Sequence, residues 1–295
     1  MENIRLVENE IVSKKTREII NEYLLYLDSG NRSKQTTLKY SYVLEDFFGA
    51  VDKAINELDA EDVLEYIYTG LKGLKDTTIS GVLSSLSAFF KYCQKKGYIE
   101  KEKKLIKKRW KPKLKKALPR SITESNFAKL RVYIQTLPLR DRLLVELTYA
   151  TACRVGELQK IDVEDIDLEN RTISITGKGN IMRKANFDVT CQFLLDEYLK
   201  NHPTEKKPTP LFLSNRNKRL SKRAISHIFK KISEDLGIKL TPHMLRHTRA
   251  TAQYEQGAPI NYIKNFLGHK SISTTLIYTK IGIKRLDKLY RKCME

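Results

Sequence analysis

The chain has 295 residues, more than one domain usually contains, and this length predicts two domains. Lysine and arginine number 55 against 35 acidic residues, so the formal charge is +20 and the expected partner is a polyanion, DNA or RNA first. A ribosome-associated or merely very soluble protein is the alternative that charge leaves open. With neither an apolar run of membrane-spanning length nor a signal-peptide core, we expect a cytoplasmic protein. The four cysteines form no CxxC pair, which argues against a zinc site or a disulfide framework: Cys93, Cys153, Cys191 and Cys293.

Apolar periodicity in the first third predicts four short amphipathic helices, at 16–27, 36–48, 60–68 and 77–96. Asp59 is placed to cap the third helix, and Gly97 to end the fourth. We expect a small helical bundle with its own core, at residues 13–100.

A basic stretch follows at 101–119. Ten of the residues 101–116 are lysine or arginine, and prolines interrupt the segment at 112 and 119. The simplest interpretation is a solvated linker between two domains. Such a linker can also lie along a phosphate backbone and neutralise several charges. The expected phosphate contacts are Lys103, Lys104, Lys107 and Lys108.

The pattern of the remaining residues, 120–295, predicts a mostly helical domain with one short hairpin. Strands are expected at 172–176 and 183–189, on either side of Gly177-Lys178-Gly179-Asn180. Helices are expected at 124–135, 139–150, 155–160, 191–200 and 222–236. Thr241 is placed to cap a helix whose first residue is Pro242, and that helix should end at Gly257. A further helix is expected from Pro259 to Gly268, with two more beyond it.

Within this second domain, charged and nucleophilic residues recur in a fixed order. Arg154 lies in Ala-Thr-Ala-Cys-Arg-Val-Gly-Glu, and Lys178 in Thr-Gly-Lys-Gly. His243 and Arg246 form His-Met-Leu-Arg, and a spacing of three puts both on one helical face. Leu-Gly-His269 and Leu-Ile-Tyr278-Thr complete the set. The order and spacing resemble those of the tyrosine recombinases, the integrase-like enzymes that cut and rejoin DNA through a phosphotyrosine.

The resemblance extends from about residue 16 to about 280 and implies a role for each matching residue. Tyr278 would be the nucleophile, since its segment resembles the family's, whereas Tyr262 and Tyr290 have no such context. Arg154 and Arg246 would clamp the equatorial oxygens of the phosphorane, and His243 would accept the proton of the Tyr278 phenol. His269 would hydrogen-bond the scissile phosphate, and Glu157 would support the pocket. Lys178 would be the general acid, with Lys184 on the same hairpin as the fallback.

The implied fold is mainly α: a SAM-like helical DNA-binding bundle, then a mixed α/β catalytic domain with a small antiparallel sheet. The implied reaction forms a 3′-phosphotyrosyl intermediate and needs no metal, ATP or other cofactor.

The sequence departs from the family pattern at two places next to the motifs. Cys153 stands where a bulkier apolar residue is frequent, and His247 and Arg249 where other members often have small or aromatic residues. We expect Arg249 to add a phosphate contact.

Three functions stay open from the sequence. The first is a compact, Xer-like site-specific recombinase for integration, excision or resolution, acting as a homotetramer on paired DNA half-sites, with or without accessory DNA-binding proteins. The second is a DNA-relaxing enzyme of the type IB topoisomerase kind, and the third is a non-catalytic DNA-binding regulator on the same fold.

An amphipathic pattern after Tyr278 predicts a C-terminal helix, which would dock on its own domain or on a neighbouring subunit. Its apolar positions are Ile281, Ile283, Leu286, Leu289 and Tyr290.

Overall fold

The computed structural model describes residues 4–30, 32–114, 120–177, 181–203 and 208–280, together with Met294. The chain divides into two compact units, Met1–Lys116 and Ala117–Glu295. Each has its own hydrophobic core. None of the helices in these ranges is both long and apolar enough to cross a membrane.

Among its described residues, the first unit contains four α-helices: α1 (Lys14–Ser29), α2 (Lys34–Ala50), α3 (Ala60–Thr69) and α4 (Asp76–Lys96). Their ends follow local chemistry. Ser13 and Ser33 cap α1 and α2 through their hydroxyls, and Asp59 caps α3 in a reciprocal pair with Asp62. Gly97 ends α4 in the left-handed conformation, with φ 82°. The predicted helical bundle is therefore confirmed.

Aromatic side chains dominate the core of this bundle. Phe47 packs edge to face on Phe48 and on Tyr66, with ring centroids 5.0 Å apart in both pairs. The core also takes in residues on both sides of the predicted 13–100 range, because Val7, Val12 and Leu105 are buried in it. At least the first part of the basic stretch therefore packs on the bundle.

The second unit contains seven α-helices among its described residues. They are α5 (Glu124–Tyr133), α6 (Leu139–Thr151), α7 (Val155–Leu158), α8 (Val189–Lys200), α9 (Lys222–Asp235), α10 (Pro242–Glu255) and α11 (Ile260–Leu267). Helix α6 is central, with buried side chains around most of its circumference, and it packs on α8 and α10. After α11 come two 3₁₀ turns, Ile272–Thr274 and Tyr278–Lys280.

A three-stranded antiparallel sheet lies between α7 and α8 in the sequence. Its order is β1 (Ile166–Asp167), β2 (Thr172–Thr176), β3 (Met182–Asn186), with Thr172 opposite Asn186 and Thr176 opposite Met182. The short β1 was not predicted. The prediction that the last strand reaches residue 189 is wrong, because the Asp188 side chain accepts from the Cys191 amide and begins α8 at Val189.

The junction between α6 and α7 sets up the site. Ala152, fully buried, takes a left-handed conformation with φ 49°, which turns the chain sharply after α6. Two residues later, Arg154 stands at the N-terminal cap of α7.

Candidate active site

Arg154 is held at the rim of the site by Glu157, one turn further along α7. The Arg154 amide donates to Glu157 Oε2 at 3.0 Å, and its Nη1 donates to Oε1 at 2.6 Å. The Arg154 side chain nevertheless remains 41% exposed. Its guanidinium is therefore oriented by protein and still open to a ligand.

Glu157 is the point where three arginines meet. Besides Arg154, Arg183 Nη2 donates to its Oε2 at 3.1 Å, and Arg246 Nη1 lies 3.9 Å from the same oxygen. The carboxylate itself is buried. One acid thus fixes the positions of three cations, which would otherwise repel one another.

Arg246 is almost completely buried in α10, with 1% of its surface exposed. Nη1 donates to the Ala152 carbonyl and Nη2 to the Leu267 carbonyl, both at 2.6 Å. These carbonyls belong to the turn after α6 and to the end of α11. Burial, and then the nearby Arg154 charge, lower the pKa of Arg246 to about 10, so it stays protonated at neutral pH.

Two histidines one turn apart on α10 lead to the tyrosine. The ring centroids of His243 and His247 are 4.3 Å apart, and His247 Nδ1 lies 2.7 Å from the Tyr278 hydroxyl. Partial desolvation, then Arg246 and Arg154, lower the pKa of His243. Burial, followed by His243 and Arg246, lowers the pKa of His247 to about 4. His247 is therefore a neutral imidazole at physiological pH.

Tyr278 is fully buried in the 3₁₀ turn after α11. Burial raises the pKa of its phenol to about 12, although Arg246 and Arg154 act in the opposite direction. From the sequence, His243 was the expected acceptor for this hydroxyl, whereas His247 makes the hydrogen bond in the structure. The i, i+4 spacing from His243 was the signal available in the sequence, because it puts His247 on the same face of α10.

His269 follows α11, where Gly268 ends the helix with φ 63°. Its Nδ1 lies 2.9 Å from the hydroxyl of Thr275, a fully buried residue that the sequence did not single out. This bond orients the ring and leaves Nε2 as the nitrogen for a ligand. Burial, then Arg246, lower the pKa of His269 to about 4.

A cavity of about 600 Å³ opens beside these groups. Arg154, Glu157, Arg183 and His269 line it, and so does Gly177 at the end of β2. Lys178, the expected general acid, lies outside the described residues. Lys184, its fallback, is exposed on β3.

Of the expected DNA-contacting cations, four lysines belong to the first unit and Arg249 belongs to the second. Lys103 donates to the Asn56 carbonyl at 3.2 Å, and Lys107 lies 5.5 Å from the centre of the Trp110 ring. Lys104 and Lys108 are exposed. Arg249 lies half-buried on α10, with its guanidinium 5.5 Å from the centre of the Tyr149 ring.

Known protein families match the sequences of both units. The Phage integrase family matches residues 120–284, and the phage integrase N-terminal SAM-like domain matches residues 20–97. The chain is 35% identical to the tyrosine recombinase XerA of Pyrococcus furiosus, over 92% of each chain. It is 33% identical to the tyrosine recombinase XerC of Thermodesulfovibrio yellowstonii, over 88% of this chain and 90% of that one. The XerH site-specific recombinase, in a complex with its palindromic difH substrate, shares the fold with a TM-score of 0.72 at 22% identity, over 99% of this chain and 92% of that one.

The family matches and the similar recombinases show that this protein is a site-specific DNA recombinase. The chain belongs to the phage integrase family of tyrosine recombinases. Within that family its similarity is to the Xer recombinases, and it extends over nearly the whole chain.

Proposed function

We propose that the site around Tyr278 is the cleavage and rejoining centre of this site-specific DNA recombinase. One observation carries the proposal. The Tyr278 hydroxyl lies 2.7 Å from a neutral His247, in a site where Arg154 and Arg246 both favour the phenolate form. A buried phenol beside a proton acceptor and two cations has the groups that an activated oxygen nucleophile needs.

Tyr278 Oη would attack the scissile phosphorus while the bond to the DNA 5′-oxygen breaks. The phenol proton would pass to His247, and the 3′-phosphotyrosyl bond would conserve the energy for rejoining. Arg154 would bind the non-bridging oxygens from the rim. Arg246 would bind the same oxygens through those of its N–H groups that do not donate to the Ala152 and Leu267 carbonyls.

His243 and His269 complete the phosphate site in this proposal. His269 Nε2 would donate a hydrogen bond to a non-bridging oxygen, since Thr275 holds Nδ1. The leaving 5′-oxygen requires a proton, and Lys178 is the proposed donor from its position in the family motif. Gly177, the residue before it, lines the same cavity as Arg154. No step needs a metal ion.

Similarity over 92% of each chain to a XerA recombinase favours strand exchange over simple DNA relaxation or a regulatory role. The fold is shared with a recombinase bound to a palindromic substrate, and a palindrome consists of two inverted half-sites. We propose that this protein likewise binds paired half-sites and assembles as a tetramer on two duplexes. The basic segment 101–119 and Arg249 would add phosphate contacts.

Covalent trapping tests the proposed nucleophile. A nicked suicide duplex, built on the sequence that the protein enriches from a randomised pool, should yield an adduct that survives denaturant and EDTA. Tyr278→Phe should bind the duplex with unchanged affinity and give no adduct, since it lacks only the attacking oxygen. An adduct in that variant would move the nucleophile to another residue.

Truncation after Lys280 tests the assembly. The predicted helix beyond it lies outside the described residues, and we propose that it docks on a neighbouring subunit. The shortened protein should bind a single half-site as tightly as the full chain and lose cooperative occupancy of the full site in gel-shift titrations. Retained cooperativity together with recombination would mean that the segment packs on its own domain.

A further inference from the structure

Arg183 is a third arginine at this site, and the sequence motifs assign it no role. It lies on β3 with its side chain only 11% exposed, two residues before the fully buried Ala185. Its stem runs against Gly268 at the end of α11. A Cβ atom at Gly268 would lie 3.2 Å from Arg183 Cδ and 3.3 Å from Nε. The glycine thus leaves the space that the arginine occupies.

The hydrogen bonds of Arg183 are incomplete. Nη2 donates to Glu157 Oε2 at 3.1 Å. Nε and Nη1 are buried and have no hydrogen-bond partner in the described part of the chain. Burying a charged group with two unused donors opposes folding, so its presence requires a reason other than stability.

A count of charges supplies that reason. Arg154, Arg246 and Glu157 together carry a net charge of +1, because Glu157 cancels one guanidinium. Addition of a phenolate to a phosphodiester gives a phosphorane with two negative charges. Neutral His269, with a pKa of about 4, adds no charge, and His247 gains a positive charge only with the proton that it takes from the phenol. Arg183 pairs with Glu157 and raises the sum for the three arginines and this acid to +2, so Glu157 no longer reduces the charge that Arg154 and Arg246 present to the phosphorane.

We propose that Arg183 is a positioning and charge-balancing residue for strand cleavage. It holds Glu157 in the orientation that presents Arg154, and it contributes the positive charge that Glu157 would otherwise cancel. The inference rests on the proposed function, since it assumes that the phosphorane forms beside this cluster. Arg183 lines the same cavity as Arg154 and His269, which places its charge at the site without requiring contact with the phosphate.

Two substitutions separate charge from hydrogen bonding. Arg183→Gln keeps a donor for Glu157 and removes the charge, whereas Arg183→Lys keeps the charge and loses the planar fork. Arg171→Gln is the matched control, because it removes an exposed arginine from the turn just before β2, whereas the cavity lies beyond the other end of that strand, at Gly177. Rates of adduct formation are measured on the suicide duplex, with DNA affinity and melting temperature recorded for each variant.

We expect Arg183→Gln to slow cleavage by ~10–10²-fold, less than the ~10²–10³-fold for loss of a direct oxyanion donor. The cleavage rate of Arg183→Lys should stay within about tenfold of the parent rate, and that of the Arg171→Gln control within about twofold. The double variant Glu157→Gln/Arg183→Gln restores the net charge of +2 and should be faster than Arg183→Gln alone.

Three outcomes would overturn the proposal. They are an Arg183→Gln rate within about threefold of the parent, an Arg183→Lys rate as low as that of Gln, and a double variant no faster than the single one. Each of these comparisons requires folded Arg183→Gln. If that variant does not fold, an Arg183→Lys rate more than about tenfold below the parent overturns the proposal instead. A parent that forms no adduct would instead refute the proposed function itself.

Discussion

The hydrogen bond between Tyr278 and His247 makes a sharp prediction for the variant His247→Phe. The substitution keeps a flat ring of similar size and removes the nitrogen that lies 2.7 Å from the phenol oxygen. We expect slower cleavage with unchanged DNA affinity. His227→Phe makes the same exchange at an exposed position of α9 and should leave the rate unchanged.

The expected loss of cleavage rate in His247→Phe follows from the burial of Tyr278. With a phenol pKa of about 12, ionisation at about pH 7.5 costs about 6 kcal/mol, at about 1.4 kcal/mol per pH unit. A positioned base that accepts the proton during attack typically recovers ~10²–10⁴-fold in rate. The arginines of the site are intact in the variant, so we expect a loss near the lower end, ~10²-fold.

The pH dependence distinguishes a base from a packing contact. Since the pKa of His247 is lowered to about 4, its imidazole is already neutral throughout the range from about pH 6 to 9, and parent cleavage should be nearly flat there. The variant must rely on hydroxide, so the logarithm of its rate should rise by about one for each pH unit. Adduct formation, quenched in denaturant and resolved by electrophoresis, gives both profiles. A flat variant profile within about threefold of the parent would show that Tyr278 gives its proton to another group.

The two arginines proposed to bind the phosphate, Arg154 and Arg246, should differ in their effect on stability. Arg154→Ala should slow cleavage by ~10²–10³-fold with little change in melting temperature, because its side chain is 41% exposed. Arg246→Ala should also lower the melting temperature, since the buried Ala152 and Leu267 carbonyls lose their donors at about 1–3 kcal/mol each; equal melting temperatures would contradict this. Alanine at Lys103, Lys104, Lys107 and Lys108 should weaken binding to every sequence and reduce the log–log salt slope by roughly 0.9 for each lost phosphate contact. An unchanged slope would leave the segment as a tether.

Much of the fold could be predicted from sequence because it depends on local chemistry. Caps at Asp59 and Thr241 and the glycine stops at Gly97 and Gly268 fix helix ends within a few residues. The boundary between β3 and α8 was misjudged, because an extended and a helical Val189 are equally compatible with the apolar pattern. There the Asp188 cap decided for the helix. The two-residue β1 is too short to leave a periodic signal.

The sequence by itself determined which residues are proposed to carry the chemistry, since the order of Arg154, His243, Arg246, His269 and Tyr278 is a property of the chain. Only the tertiary structure decided their partners. Tyr278 meets His247 across 31 positions, and Arg246 meets the Ala152 carbonyl across 94. Arg183 reaches Glu157 across 26. Such contacts have no local pattern, because they join residues that are far apart in the sequence. Burial that only the folded chain produces then lowers the pKa of Arg246, His247 and His269 and raises that of Tyr278.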